Sequence, residues 1–145
     1  NKSVASGSKD GFVFVWGVSD GAQKQKWKAH DGPINALAYS QDGKFLMSAS
    51  SDNKLQIWST TGYKKHKELC FPASIIRLKT NPKNNLVAGA FSDGSIRIWD
   101  STDFSLKRTL QPKKHKVAGL AWGPEGKMLL AGNANGNTFI WEILP

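Results

Sequence analysis

Val13 and Val15, Leu55 and Ile57, Ile96 and Ile98, and Thr138 and Ile140 recur at alternate positions of four similar short segments, each closing on a tryptophan. Successive side chains of a strand point to opposite faces, so each pair shares one face and the tryptophan takes the other. A strand apolar on both faces needs cover on both, which a small sheet obtains when it is sandwiched between two neighbouring sheets. The segments GFVFVW, NKLQIW, GSIRIW and GNTFIW place Trp16, Trp58, Trp99 and Trp141 at spacings of 42, 41 and 42 residues. One supersecondary unit is therefore copied along the chain, and that copying decides the fold. The second copy divides most clearly. After His30, INALAYS reads as a strand, QDGK as a turn, FLMSAS as a strand, SDN as a tight turn, LQIWS as a strand and KKHKELC as a fourth. Four short strands per period, separated by Gly, Asp, Asn and Pro, predict an all-β array of hairpins, and no helical periodicity competes.

Composition adds bounds. The 39% apolar content allows a packed core, and 14 glycines beside 6 prolines fit many turns. No apolar stretch approaches the roughly 18 residues of a membrane helix, and the opening NKSVASGSKDG lacks the charged-then-apolar pattern of a secretion signal, so the chain reads as soluble with no membrane partner. Cys70 stands alone. It suits a reducing compartment and an intracellular location, cytoplasmic or nuclear.

The period, His30 before the first strand, SSD before the third and the closing Trp resemble the WD40 repeats of a β-propeller, in phase over the entire chain. The resemblance implies blades that are four-stranded antiparallel sheets around a central channel, commonly seven to a ring. The expected fold class is all-β: a partial propeller of about fourteen strands in WD40 blades, two complete and two incomplete. Its divisions are 1–29 (partial blade), 30–70, 71–112, and 113–145 (a blade lacking its outer strand). The chain starts inside a second strand and ends, at WEILP, after a third, about half a ring. The expected remainder lies before Asn1, and the missing half comes from the same parent chain or from another.

The resemblance also implies a buried chain of hydrogen bonds in each blade. His30, Ser48, Asp52 and Trp58 match it fully: the indole N–H donates to the hydroxyl, the hydroxyl to one imidazole nitrogen, and the other nitrogen to the carboxylate. The first copy keeps Ser6, Asp10 and Trp16, but its His position precedes the chain. The third keeps Asp93 and Trp99, with Phe71 where His belongs and Gly89 where Ser belongs, so packing must hold that blade. The fourth keeps Trp141, with Asn135 for Asp and Ala131 for Ser, and Lys113 at the His position two residues before His115.

Catalysis finds no footing. Asp10, Asp52 and Asp93 recur because a turn recurs. The three histidines have no zinc spacing and no acidic pair is assignable to proton transfer. No G-x-S-x-G turn appears, and GNANGN at 132–137 reads as strand–turn–strand, since no Lys-Ser/Thr follows as in a phosphate loop. No catalytic residue, metal or cofactor is expected.

Charge is the stronger functional clue. Twenty Lys and Arg against 11 Asp and Glu give +9, which draws acidic partners at long range. Lys24, Lys26 and Lys28 alternate along an outer strand, where lysine guards against edge-to-edge association. The two KKHK runs, at 64–67 and 113–116, fall at opposite rims by strand order. Arg77 and Lys79 fall on an inner strand where the other copies carry Ala36, Ala38, Gly119 and Ala121. Either they place their charges in channel water over apolar stems, or they meet an acidic peptide or phosphate at the channel mouth.

The reading is a noncatalytic scaffold that binds partner peptides or domains through its upper rim and channel mouth. Loops held on a rigid frame are where binding residues concentrate. The candidate contacts are Lys9, Asp31, Pro33, Ser51, Phe71, Ser74, Arg77, Lys79, Ser92, Lys113, Lys114 and Lys116. Phe71 is either an exposed aromatic anchor or the filler of the space left by the missing His. The alternative is a basic propeller binding nucleic acid or associated with a ribonucleoprotein. Four of the six tryptophans already belong to the repeat, Trp27 lies on a lysine-rich outer strand and Trp122 is equivalent to Tyr39, so little aromatic surface remains for stacking bases.

Overall fold

The computed structural model describes residues 3–111 and 116–143, and among them it contains strands, turns and no helix. Sequence order is spatial order. β1 (Ser3–Gly7), β2 (Phe12–Gly17) and β3 (Gln23–Lys28) form the first sheet. β4 (Ile34–Tyr39), β5 (Phe45–Ser50), β6 (Lys54–Ser59) and β7 (Lys65–Cys70) form the second. β8 (Ile75–Thr80), β9 (Leu86–Phe91), β10 (Ile96–Asp100) and β11 (Leu106–Leu110) form the third, and β12 (Val117–Trp122), β13 (Met128–Asn133) and β14 (Thr138–Glu142) the fourth. Every pairing is antiparallel, and no sheet closes on itself. The architecture is a partial β-propeller, with two four-stranded blades between two three-stranded ones.

The alternation seen in the sequence sets how the blades stack. Val13 and Val15 leave the first blade to meet Leu46 and Trp58 of the second. Leu55 and Ile57, on the opposite face of β6 from Trp58, meet Phe91, Trp99 and Phe104 of the third blade. Ile96 and Ile98 meet Leu129, Ala131 and Trp141 of the fourth. Each interface thus joins an aliphatic trailing face to an aromatic leading face, and the core is divided among these interfaces because a single sheet has no interior of its own.

Two irregularities repeat from blade to blade. The inner strands β4, β8 and β12 carry register shifts between Ile34 and Ala36, Ile75 and Arg77, and Val117 and Gly119, which leave Asn35, Ile76 and Ala118 as extra residues. A second shift falls opposite the step into Trp16, Trp58 and Trp99, where the outer strands β3, β7 and β11 carry Lys24, His66 and Lys107 as extra residues. A bulge bends the strand that carries it and increases local twist, here in the outer strand of each blade. The tight turns demand special backbone as well. Gly11 sits at φ 82°, and a Cβ there would collide with the His30 carbonyl oxygen.

Candidate interaction surface

The second blade assembles its polar relay from three segments. Trp58 Nε1 donates to Ser48 Oγ at 2.9 Å, Ser48 Oγ lies 2.8 Å from His30 Nε2, and His30 Nδ1 lies 2.9 Å from Asp52 Oδ2. Because the carboxylate only accepts, Nδ1 carries the proton, and Nε2 is left to accept from the Ser48 hydroxyl. The His30 side chain is fully buried. Asp52 also accepts from the Asp31 and Lys54 amides, tying the loop before β4 to the turn before β6.

The neighbouring blades solve the same position differently. In the first, Trp16 Nε1 donates to Ser6 Oγ at 2.9 Å, and Asp10 accepts from Ser8 within its own turn. In the third, the structure puts Phe71 in the place that sequence had left open to it. Its ring packs half-buried against Phe91 at 5.0 Å and Trp99 at 5.7 Å. Gly89 makes this possible, since a Cβ there would fall 2.8 Å from Trp99 Cζ3. Asp93 turns inward on its own loop, accepting the Ser95 amide and hydroxyl. Burial alone would raise its pKa, but these Ser95 hydrogen bonds prevail and hold it below the ordinary value. Arg97, which the sequence reading had not singled out, lies over Phe91 at 4.7 Å and Phe71 at 5.3 Å. Trp141 stacks on Phe139 at 5.9 Å.

At the rim above these side chains, the interblade loops and the tight turns are sewn together. Ser51 N donates to Pro33 O, and Ser92 N to Ser74 O. Between blades, Ser74 Oγ donates to Asn53 Oδ1 at 2.6 Å and Phe71 N to Asn53 O. Asn35 Nδ2 donates to Ile75 O at 3.0 Å while its Oδ1 accepts from Ser51 Oγ at 3.1 Å. Asn53 holds φ 66°, a left-handed conformation that Asn tolerates better than other side chains. Asn35 and Asn53 were not read from the sequence; the one signal available was their Asn identity at an inner-strand start and in a turn. Lys9, Asp31, Pro33, Ser51 and Lys116 are exposed along this rim, and Ser74 and Ser92 are half-buried. Lys113, Lys114 and His115 lie outside the described residues.

On the inner wall, Arg77 and Lys79 are both exposed on the same face of β8. Arg77 Nε donates to Ala118 O at 3.1 Å and Nη1 to Ile76 O at 2.8 Å. Trp122 Nε1 donates to Lys79 O at 2.9 Å, and Thr80 Oγ1 donates to Tyr39 O. Among the described residues, no three or more His, Cys, Asp and Glu gather where they could hold a metal ion, and no helix is long and apolar enough to cross a membrane. Cys70 is exposed on β7.

This geometry has close counterparts. The chain is 28% identical over 148 residues to the small ribosomal subunit protein RACK1y of Oryza sativa subsp. japonica, covering 97% of this chain and 44% of the relative. It is 25% identical over 147 residues to the target of rapamycin complex subunit wat1 of Schizosaccharomyces pombe, covering 99% of this chain and 47% of that one. The chain therefore spans less than half the length of these relatives. The solved β-propeller domain of Myceliophteria thermophila Cps50 (Swd1) superimposes with a TM-score of 0.83 at 26% identity, over 97% of this chain and 48% of that structure. The family model described as WD domain, G-beta repeat matches residues 21–59, 65–100 and 104–142, and with the blade-by-blade geometry this establishes that the chain belongs to the WD40-repeat family.

Proposed function

We propose that this chain is a noncatalytic scaffold element that recognises protein partners through the rim carrying Lys9, Asp31, Pro33, Ser51, Ser74, Ser92 and Lys116. The observation that carries the reading is the belt of hydrogen bonds through Asn35, Ser51, Asn53 and Ser74, which fixes loops from two blades as one surface while leaving Asp31, Pro33 and Ser51 exposed. A surface already ordered loses little conformational entropy when a partner docks, so its contacts translate into affinity. The similarity to RACK1y and to wat1, whose names place them in a ribosomal subunit and a target of rapamycin complex, supports a role within assemblies.

The packing supports protein over nucleic acid as the partner. Trp27 stands edge-on to Trp58 at 5.2 Å and lies against Tyr63 at 5.3 Å, so its ring is engaged in the core instead of offered to bases. Three outer-strand lysines have acidic partners: Lys24 with Asp20, Lys65 with Glu68 and Lys107 with Asp100.

The test compares proteins retained by the immobilised chain with those retained by two double variants. Asp31→Arg with Ser51→Arg alters the proposed rim, and Thr61→Arg with Lys64→Glu alters the opposite one. Retention lost in the first and kept in the second is expected, with both variants folded by circular dichroism. Equal retention by the wild type and the first variant would move the interaction elsewhere.

A further inference from the structure

The wall formed by the inner strands β4, β8 and β12 is tied together side chain to backbone, and these ties give Arg77 an unusual setting. The extra residues created by the inner-strand register shifts include Ile76 and Ala118, and theirs are the two carbonyls that accept from Arg77. Carbonyls orient a guanidinium without neutralising it. Arg77 spends two of its five N–H groups on them and keeps its full charge. Lys79 follows two residues later on the same face, its backbone held by the Trp122 indole. The inner strands INALAY, IIRLKT and VAGLAW contain these two cations and no acidic residue. Neither cation appears in an ion pair with any described carboxylate, unlike Lys24, Lys44, Lys54, Lys65 and Lys107.

The side chains beside the pair are small. Ala118, Gly119 and Ala121 are exposed on β12, and Ala36 and Ala38 are half-buried on β4. An extended chain can therefore approach the backbone closely on both sides. The aromatic residues of this wall, Tyr39 and Trp122, are half-buried. No exposed ring stands ready to stack a base, which favours a carboxylate-bearing peptide over a single-stranded nucleic acid.

We infer that Arg77 and Lys79 form an anion site on the inner wall, and that it takes the Asp or Glu side chains of an extended acidic peptide segment. The inference rests on the protein-scaffold reading and names the chemistry that enters past the rim. Arg77 supplies a pre-oriented planar donor edge and Lys79 a mobile point charge, so carboxylates two residues apart on an extended ligand match cations two residues apart on β8.

The probe is an N-acetylated, fluorescein-labelled hexaglutamate, titrated with the chain at low salt and followed by anisotropy. Arg77→Gln and Lys79→Gln are each expected to weaken binding about three- to fivefold, and together about tenfold, the scale of exposed charge contacts. Lys24→Gln, Lys26→Gln and Lys28→Gln combined remove more charge from an outer strand and are expected to change affinity less than about twofold if the site is local. Lys79→Gln is the decisive variant, because the Lys79 side chain takes part in none of the interstrand ties and its loss leaves the wall intact. No binding by the wild type, equal loss in the outer-strand variant, or tighter binding of a labelled oligodeoxythymidylate would overturn the inference. Those results would leave rim-dependent partner retention standing; loss of that retention alone would remove the scaffold reading and not the anion site.

Discussion

Residue by residue, the second and third blades show two ways of holding the same tryptophan. In the second, each member of the relay is a donor or acceptor that burial has stripped of water, so deleting one strands the rest. His30→Ala is expected to lower unfolding free energy by about 1–3 kcal/mol, the cost of leaving buried polar groups unpaired. Chemical denaturation reads it, and an unchanged midpoint would mean that the Ser48 and Trp58 groups find other partners. In the third blade Phe71 and Gly89 stand in place of the His and Ser members and fit replaces the relay, so the sensitive position is Gly89. Gly89→Ala places a Cβ against the Trp99 ring and is expected to cost about 1–3 kcal/mol through overpacking. The turn carboxylates form a third class. The Ser40 hydroxyl holds Asp42 below its ordinary pKa, and Ser95 does so for Asp93 against the opposing effect of burial. A lowered folded pKa means stability that is present above the unfolded value and lost as pH falls through the folded one. Melting temperature is therefore expected to fall below about pH 4. The drop should be shallower in Asp42→Asn with Asp93→Asn, whose turns start weaker at neutral pH.

At the scale of elements, strand position decides protection. β2, β5, β6, β9, β10 and β13 each have a partner on both sides, whereas β14 pairs only with β13 and β1 only with β2. Amide exchange is expected to be slowest in the central strands β5, β6, β9 and β10 of the two four-stranded blades, which are also covered on both faces, and fastest along the unpaired edges of β1 and β14, because opening there breaks no ladder. Exchange in β14 as slow as in β6 would show that its edge is covered. The strands themselves were legible in the sequence, since period-2 alternation and turn residues fix both their number and their facing. Their irregularities were not. The register shifts at Asn35, Ile76 and Ala118 leave no mark in hydropathy, and so the pinning of Arg77 on the Ile76 and Ala118 carbonyls was invisible even though Arg77 stood out by charge. The packing of Phe71 was readable only to the point of two alternatives. Choosing between them required the ring geometry of Phe91, Trp99 and Arg97, which come from separate strands.

At the scale of the whole molecule, two faces have no partner among the described residues. Ile57 and Ile98, on the trailing faces of the second and third blades, are 0% and 1% exposed, whereas Ile140 at the same position of the fourth is 61% exposed, with Met128 beside it at 47%. On the first blade, Phe12, Phe14 and Trp16 present the aromatic leading face that Trp58 and Trp99 bury elsewhere. Lys26 shields part of it, with its ammonium 4.9 Å from the Phe12 ring and 5.2 Å from the Phe14 ring. Burying one large aliphatic side chain is worth about 1.5–3 kcal/mol, so several together drive association. The occupant each face fits is a blade of this same construction, aliphatic against aromatic, as in the three interfaces already formed. Because one chain carries both halves of that match, contact between copies would be head to tail and would close or propagate according to its angle. The 145-residue chain is expected to sediment as species heavier than 15.9 kDa at micromolar concentration. Ile140→Asp should return it to the monomer without loss of β-sheet signal, since that side chain faces away from the blade packed behind it. A wild-type chain that stays monomeric would mean that the lysine cover over Phe12 and Phe14 is enough to keep the leading face in water.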